Sequence, residues 1–250
     1  MKRCVWAAVL ALGVAGCGGS HVAATIPAAV VGANRCPDWV NDPSDGVTWE
    51  ANENDDEIQT FIGEVPDSAY VAFKGAGPID APIGKVANVL IDTPRHHEWV
   101  PHFGGMRIVR HISETEKVIY RHVTTPFIIS DRDFVVKARM SKDAGSGHLL
   151  LDFSSVRDPD APEREGKVRG VLHSSGYRMW PIDGGARTMV IFTIHVDPMG
   201  DVPAWIVNLF QAGYARTNLQ NIRQQAVKHD VAEHPRVKEE FRDYQPSCGN

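Results

Sequence analysis

The sequence predicts an α+β fold in which an antiparallel sheet is covered by a long C-terminal helix. Eight segments rich in β-branched and aromatic residues follow one another, at 57–65, 69–76, 106–112, 117–124, 132–140, 148–156, 167–174 and 187–197, which is the pattern of an antiparallel series. Between the second and third, Ile83, Val86, Val89 and Leu90 recur at helical spacing until Pro94 stops them, so one or two helices interrupt the strands. A last helix is predicted from about residue 204 to residue 228, opened by Pro203 at a favourable first-turn position. Ile206, Phe210, Gly213 and Thr217 form one stripe along it, with Leu209 and Tyr214 beside them. Its place is across the concave side of the sheet, where turns poor in bulky residues leave room beneath.

With 250 residues, 43% of them hydrophobic, the chain can bury a sizeable core in one large domain. A formal charge of -5 and a pI near 6.1 exclude a binder driven by nucleic-acid phosphates. Met1, Lys2 and Arg3 precede the apolar run CVWAAVLALGVAG, which is too short to span a bilayer and reads as a targeting segment. The run ends in VAGC, which resembles the lipobox of bacterial lipoproteins. The resemblance implies a signal peptide over 1–16, diacylation of Cys17 and, with Gly18 after the cysteine, sorting to an outer membrane on the periplasmic side. An ordinary secretory signal cut elsewhere is the alternative. Cys4 would leave with the signal, so Cys36 and Cys248 remain as either one bridge or two unpaired thiols. Residues 17–46 are small and turn-rich and read as a tether, the domain proper spans 47–232, and 233–250 reads as a charged, solvated tail.

Strand alternation gives the facing of the central elements. Phe134, Val136, Ala138 and Met140 share one face, against Val135, Lys137 and Arg139 on the other. Leu149, Leu151 and Phe153 likewise oppose Leu150, Asp152 and Ser154. The first set of each strand is assigned to the interior, and periodicity alone fits a solid core as well as a hollow one.

Three motifs in order resemble the START family of lipid-transfer domains. They are PFIISDRDFV (126–135), GKVRGVLHSSGYRMWP (166–181) and TIHVDPMGDVPAWIVN (193–208), and WEANENDDEIQTFIGEVPDS and HHEWVPHF sit where that family has its first strand and its helix-ending Trp. The resemblance covers about residues 47–231. It implies a helix-grip fold, a curved antiparallel sheet wrapped around the long C-terminal helix with an internal hydrophobic tunnel for one lipid. On that reading Arg132 and Asp133 belong to a turn at the rim and the residues from Phe134 onward line the tunnel. Phe134, Val136, Ala138, Met140, Leu149, Leu151, Phe153, Phe192, Ile206, Phe210, Gly213 and Thr217 are its expected lipid contacts. The loop 157–166, polar and Pro-containing, would form the lid with the start of the last helix.

One departure from the family matters. Several members carry a buried Arg six positions after the Arg of Arg-Asp-Phe, near an acid on the preceding strand; Ala138 stands there, and KVIYRHVTT supplies no acid. Losing both partners is physically coherent, because a lone charge in an apolar tunnel is costly. Polar recognition then falls to Arg121 or His122, whose facing alternation leaves open, to His173 or to Thr217. His96, His97 and His102 with Glu98 invite a metal reading, but a zinc site needs convergent geometry and none is expected. No nucleophile elbow, phosphate loop or paired carboxylates are legible, so no catalytic residue and no cofactor are assigned. The expectation is a monomeric lipid-binding and lipid-transfer protein attached to a membrane surface. The alternatives are a helix-grip cyclase or hydrolase and a ligand-sensing interaction module.

Overall fold

The structure, a computed structural model, describes residues 46–125, 130–203, 207–208 and 213–245. Among the described residues ten strands form one sheet: β1 (Thr48–Asp55), β2 (Ile58–Glu64), β3 (Ala72–Ile79), β4 (Phe103–His111), β5 (Glu116–Val123), β6 (Asp131–Lys142), β7 (Leu149–Ser155), β8 (Lys167–Arg169), β9 (Val171–Ile182) and β10 (Arg187–Asp197). Their order is β1-β2-β3-β10-β9-β7-β6-β5-β4, antiparallel throughout, and β8 pairs in parallel with β6. Helices α1 (Ile83–Ile91), α2 (Tyr214–Ala226) and α3 (Pro235–Glu240) lie with the 3₁₀ segment Thr93–Glu98 on the core side. This is the α+β helix-grip arrangement expected from the sequence.

Helix α2 presses on β3 because of one residue. Gly75 stands beneath it, and a Cβ added there would meet Leu219 Cδ1 at 3.1 Å and the Ala215 carbonyl oxygen at 3.2 Å. From Gly75 a row of paired inward residues crosses the sheet through Phe192, Tyr177, Leu151 and Met140. Leu219 and Ile222 close over the β3 end of this row, 1% and 0% exposed, and each such buried side chain contributes about 1.5–3 kcal/mol.

Several boundaries differ from expectation. Strand β1 has no signal in the residue pattern, although the family resemblance puts a first strand within WEANENDDEIQTFIGEVPDS: it is polar and forms an edge, and it returns through Asp56 and Glu57, both in left-handed backbone (φ 49° and 57°) without a glycine to mark the turn. The segment expected at 167–174 is two strands. It breaks at Gly170, where a Cβ would lie 2.4 Å from the Phe134 ring, and β9 then runs on to Ile182. The charged tail is folded as well. Within it α3 buries Val237 completely, and Phe241, 5% exposed, packs in the same core. Solvated charges on the tail's outer side hid this inner face.

Candidate functional site

The two-residue period of the strands sends alternate side chains into the space beneath α2. Ile119, Arg121 and Val123 enter from β5, Phe134 and Val136 from β6, Phe153 from β7, Leu172, Ser175 and Tyr177 from β9, and Phe192, Ile194 and Val196 from β10. Leu90, His96, Trp99, Val100, Pro101, Tyr214 and Asn218 close the helical side of a cavity of about 250 Å³. A second cavity of about 200 Å³ shares Leu90 and Phe153 with the first and is lined by Ala138, Met140, Leu151, Lys117 and His234 among others. Neither alone reaches the roughly 300–1,000 Å³ of small-molecule sites; the two together do.

The helical wall is pinned from outside. Asn221 donates to the Trp99 carbonyl at 2.7 Å, and Gln225 donates to Glu98 Oε2 at 2.8 Å. Arg95, Gln225 and Lys228 hold the Glu98 carboxyl well below the usual carboxylate range. Inside, Tyr177 donates to Asn218 Oδ1 at 2.9 Å and its burial pushes the phenol far up. His96 is directed by a 3.1 Å contact from Nε2 to the Leu90 carbonyl, and burial, helped by the Arg121 charge, pushes it down to about 4.

The structure separates the expected contacts into groups. Arg121, Phe134, Val136, Phe153 and Phe192 line the first cavity; Ala138, Met140 and Leu151 line the second; Leu149 is packed into the solid core at 1% exposed. Four expectations are corrected. His122 is on the opposite side of β5, its Nε2 2.6 Å from Asp131 Oδ2. His173 is exposed and stacks on His195 outside the cavity. Gly213 and Thr217 are exposed, because the inward face of α2 is one position on, at Tyr214 and Asn218. Ile206, Phe210, Cys17, Cys36 and Cys248 lie outside the described residues.

The Arg-Asp pair is not a rim turn. Both residues are inside β6, 5% and 1% exposed. Arg132 donates to the Ser130, Pro198 and Met199 carbonyls, and Asp133 takes the Arg169 guanidinium through both oxygens, at 2.7 and 3.2 Å. Arg169 in turn reaches the Ala161 and Pro162 carbonyls. The loop 157–166 is therefore docked on the outer face, with Ala161 buried among Val118, Tyr120 and Val135 and Asp158 held by Arg110 at 2.8 Å, and none of its residues lines the cavity. The small side chain of Ala161 supplied the packing partner that a polar loop had no need to show.

The histidine-rich segment does not converge. His96 points to Leu90, His97 Nδ1 lies 2.8 Å from the Pro94 carbonyl, and among the described residues no three metal-ligating side chains cluster. The main omissions of the sequence reading are Trp99, His96, Tyr177, Tyr214 and Asn218. Tyr177 was findable, since it sits in the Gly-Tyr motif and alternates with Met179, whereas the pair 214 and 218 differs from the chosen stripe by a single residue.

Residues 32–230 match the START domain. The chain belongs to this family. Relatives include the bovine phosphatidylcholine transfer protein, 26% identical over 167 residues that make up 65% of this chain and 76% of that one. An uncharacterised protein of Pseudomonas aeruginosa is 22% identical over 183 residues, 72% and 87% of the two chains. Among solved structures, human STARD10 superposes with a TM-score of 0.66 at 19% identity, covering 77% of this chain and 76% of its own. A STAR-related lipid transfer protein of Xanthomonas axonopodis gives 0.64 at 24% identity, covering 72% and 99%. The START chain described here shares their fold.

Proposed function

We propose that this START protein binds one lipid in the cavity between sheet and α2 and transfers it at a membrane surface, as a monomer and without turnover of the ligand. The observation that carries the reading is the cavity itself, walled by apolar residues of six strands, Met106 of β4 among them, under a pinned helix. Enclosing roughly 400 Å² of ligand apolar surface would gain about 10 kcal/mol before the costs of association are subtracted. Membership in a family that includes a phosphatidylcholine transfer protein supports the same conclusion.

Export and anchoring belong to the proposal. No helix among the described residues is long and apolar enough to cross a membrane. Attachment rests on the lipobox-like VAGC and acyl chains on Cys17. A tethered carrier of this kind exchanges lipid within the reach of residues 17–46. The loop 157–166, expected as part of the lid, is anchored through Asp133 and Arg169, and the proposal therefore seeks the gate at the Tyr214 end of α2.

Native mass spectrometry of protein lacking residues 1–17, followed by lipid extraction, tests the reading. A lipid is expected at one per chain, and Val136→Trp, which adds bulk to the wall, is expected to empty the cavity while the fold survives. Protein that stays empty beside lipid vesicles, or that releases chemically altered molecules, would refute a carrier.

A further inference from the structure

Arg121 is a cation placed in an apolar cavity without an acid beside it. No Asp or Glu lines that cavity among the described residues, and the sequence has none in 126–129 or in 204–206 and 209–212. The guanidinium is always charged, and a charge held away from water is costly unless it is paired. Its contact with the Tyr214 hydroxyl, at 3.5 Å, is at the outer limit of a hydrogen bond, and its Nε is buried with no partner. Arg121 is half-buried, so the arrangement is one half of an ion pair at the cavity wall with the other half missing.

Two further nitrogens, on residues that line the same cavity, are also without partners. Trp99 Nε1 and His96 Nδ1 are buried without partners, on side chains of residues 7% and 8% exposed. Trp99 and His96 meet edge to face with ring centroids 5.3 Å apart, and both residues belong to the cavity wall. Trp99 Nε1 and Arg121 Nε can only donate. Since His96 Nε2 faces the Leu90 carbonyl, its proton belongs there, and Nδ1 offers a lone pair.

We propose that the ligand is an amphiphile with an anionic oxygen head, seated against Arg121, Trp99 and His96 with its apolar part along the strands. This rests on the reading of the cavity as a lipid site and names the chemistry that site selects. A carboxylate or a phosphate monoester both match the guanidinium fork, accepting from Arg121 and Trp99. A head that retains one O–H, such as a monoanionic alkyl phosphate or a hydroxy acid, also donates to His96 Nδ1. A neutral alcohol leaves the cation unpaired.

Calorimetric titration of the chain lacking residues 1–17 with decanoate, decyl phosphate and decanol separates these cases. Both anions are expected to bind about 10- to 100-fold more tightly than decanol, the range of a charge-assisted hydrogen bond. Decyl phosphate ahead of decanoate assigns the head to a phosphate, and the reverse to a carboxylate. Arg121→Gln is expected to remove the preference without lowering the melting temperature of the empty protein, since it takes an unpaired charge out of an apolar space. His122→Gln, one residue along and outside the cavity, is expected to keep the preference. Equal binding of decanol and the anions, a preference that survives Arg121→Gln, or a large loss of stability in that variant would overturn the proposal while leaving lipid binding intact. Failure of all three probes to bind would instead remove the lipid reading and this inference with it.

Discussion

Asp133 is almost wholly buried, and what it holds is a loop rather than a ligand. Its two oxygens take Arg169, whose remaining donors reach the carbonyls of Ala161 and Pro162, so one carboxylate fixes the loop 157–166 against the outer face of β6. Removing one partner of such a pair strands the other, at a cost of about 3–5 kcal/mol, whereas replacing both with apolar residues can be nearly neutral. Asp133→Asn is therefore expected to destabilise by about that amount in urea unfolding, and Asp133→Leu combined with Arg169→Met to recover most of the loss. A single substitution costing under about 1 kcal/mol would show that the pair is as weak as a surface bridge. The sequence displayed the Arg-Asp pair plainly, but not its role, because a charged pair between apolar runs looks the same at a rim turn and inside a strand.

Among the elements, α3 is the clearest case of structure hidden by composition. Six residues cannot show a helical period, and Val237 is their one wholly buried position. Phe241 just beyond packs with Tyr244 at a ring distance of 5.6 Å and lies under the Lys142 ammonium at 4.6 Å. The segment is tied to α1 by a hydrogen bond from His234 N to the Gly84 carbonyl at 2.8 Å. Phe241→Ala is expected to cost about 3 kcal/mol and to lower the melting temperature measured by circular dichroism. No change in that temperature would mean that the tail folds apart from the domain. Elements with strong punctuation were legible by contrast. Strand β10 runs from Arg187 to Asp197 as read, bounded by Gly184 and Gly185 before it and by Pro198 after it. The cavity face of β6 followed from simple alternation. Strand β1 and the rotation of α2 did not, since a polar edge strand has no apolar period and two adjacent stripes of α2 are about equally mixed in polarity.

At the scale of the whole molecule, the buried histidines give the fold a direction in pH. His96 and His148 are both pushed down to about 4, chiefly by burial, with Arg121 and Arg178 adding to the effect. His195 and His234 are lowered as well, again mainly by burial. An unfolded chain protonates these rings near 6.5, while the folded chain resists until about pH 4, so in that window protons are taken up by the unfolded state. The stability associated with these groups is fully present above about 6.5 and is lost as pH falls toward about 4, on the order of 3 kcal/mol for His96. Asp131, Asp143 and Asp158, held low by hydrogen bonds and nearby cations, extend the loss below their ordinary value of 3.8. Asp152 is raised by burial and acts in the opposite sense. The melting temperature is expected to be flat between about pH 8 and 7 and to decline from about 6.5 downward. His96→Gln, which can still donate to the Leu90 carbonyl but cannot titrate, is expected to flatten the upper part of that decline. An unaltered profile in this variant would mean that His96 is reached by water, and the closed wall beneath α1 would have to be redrawn.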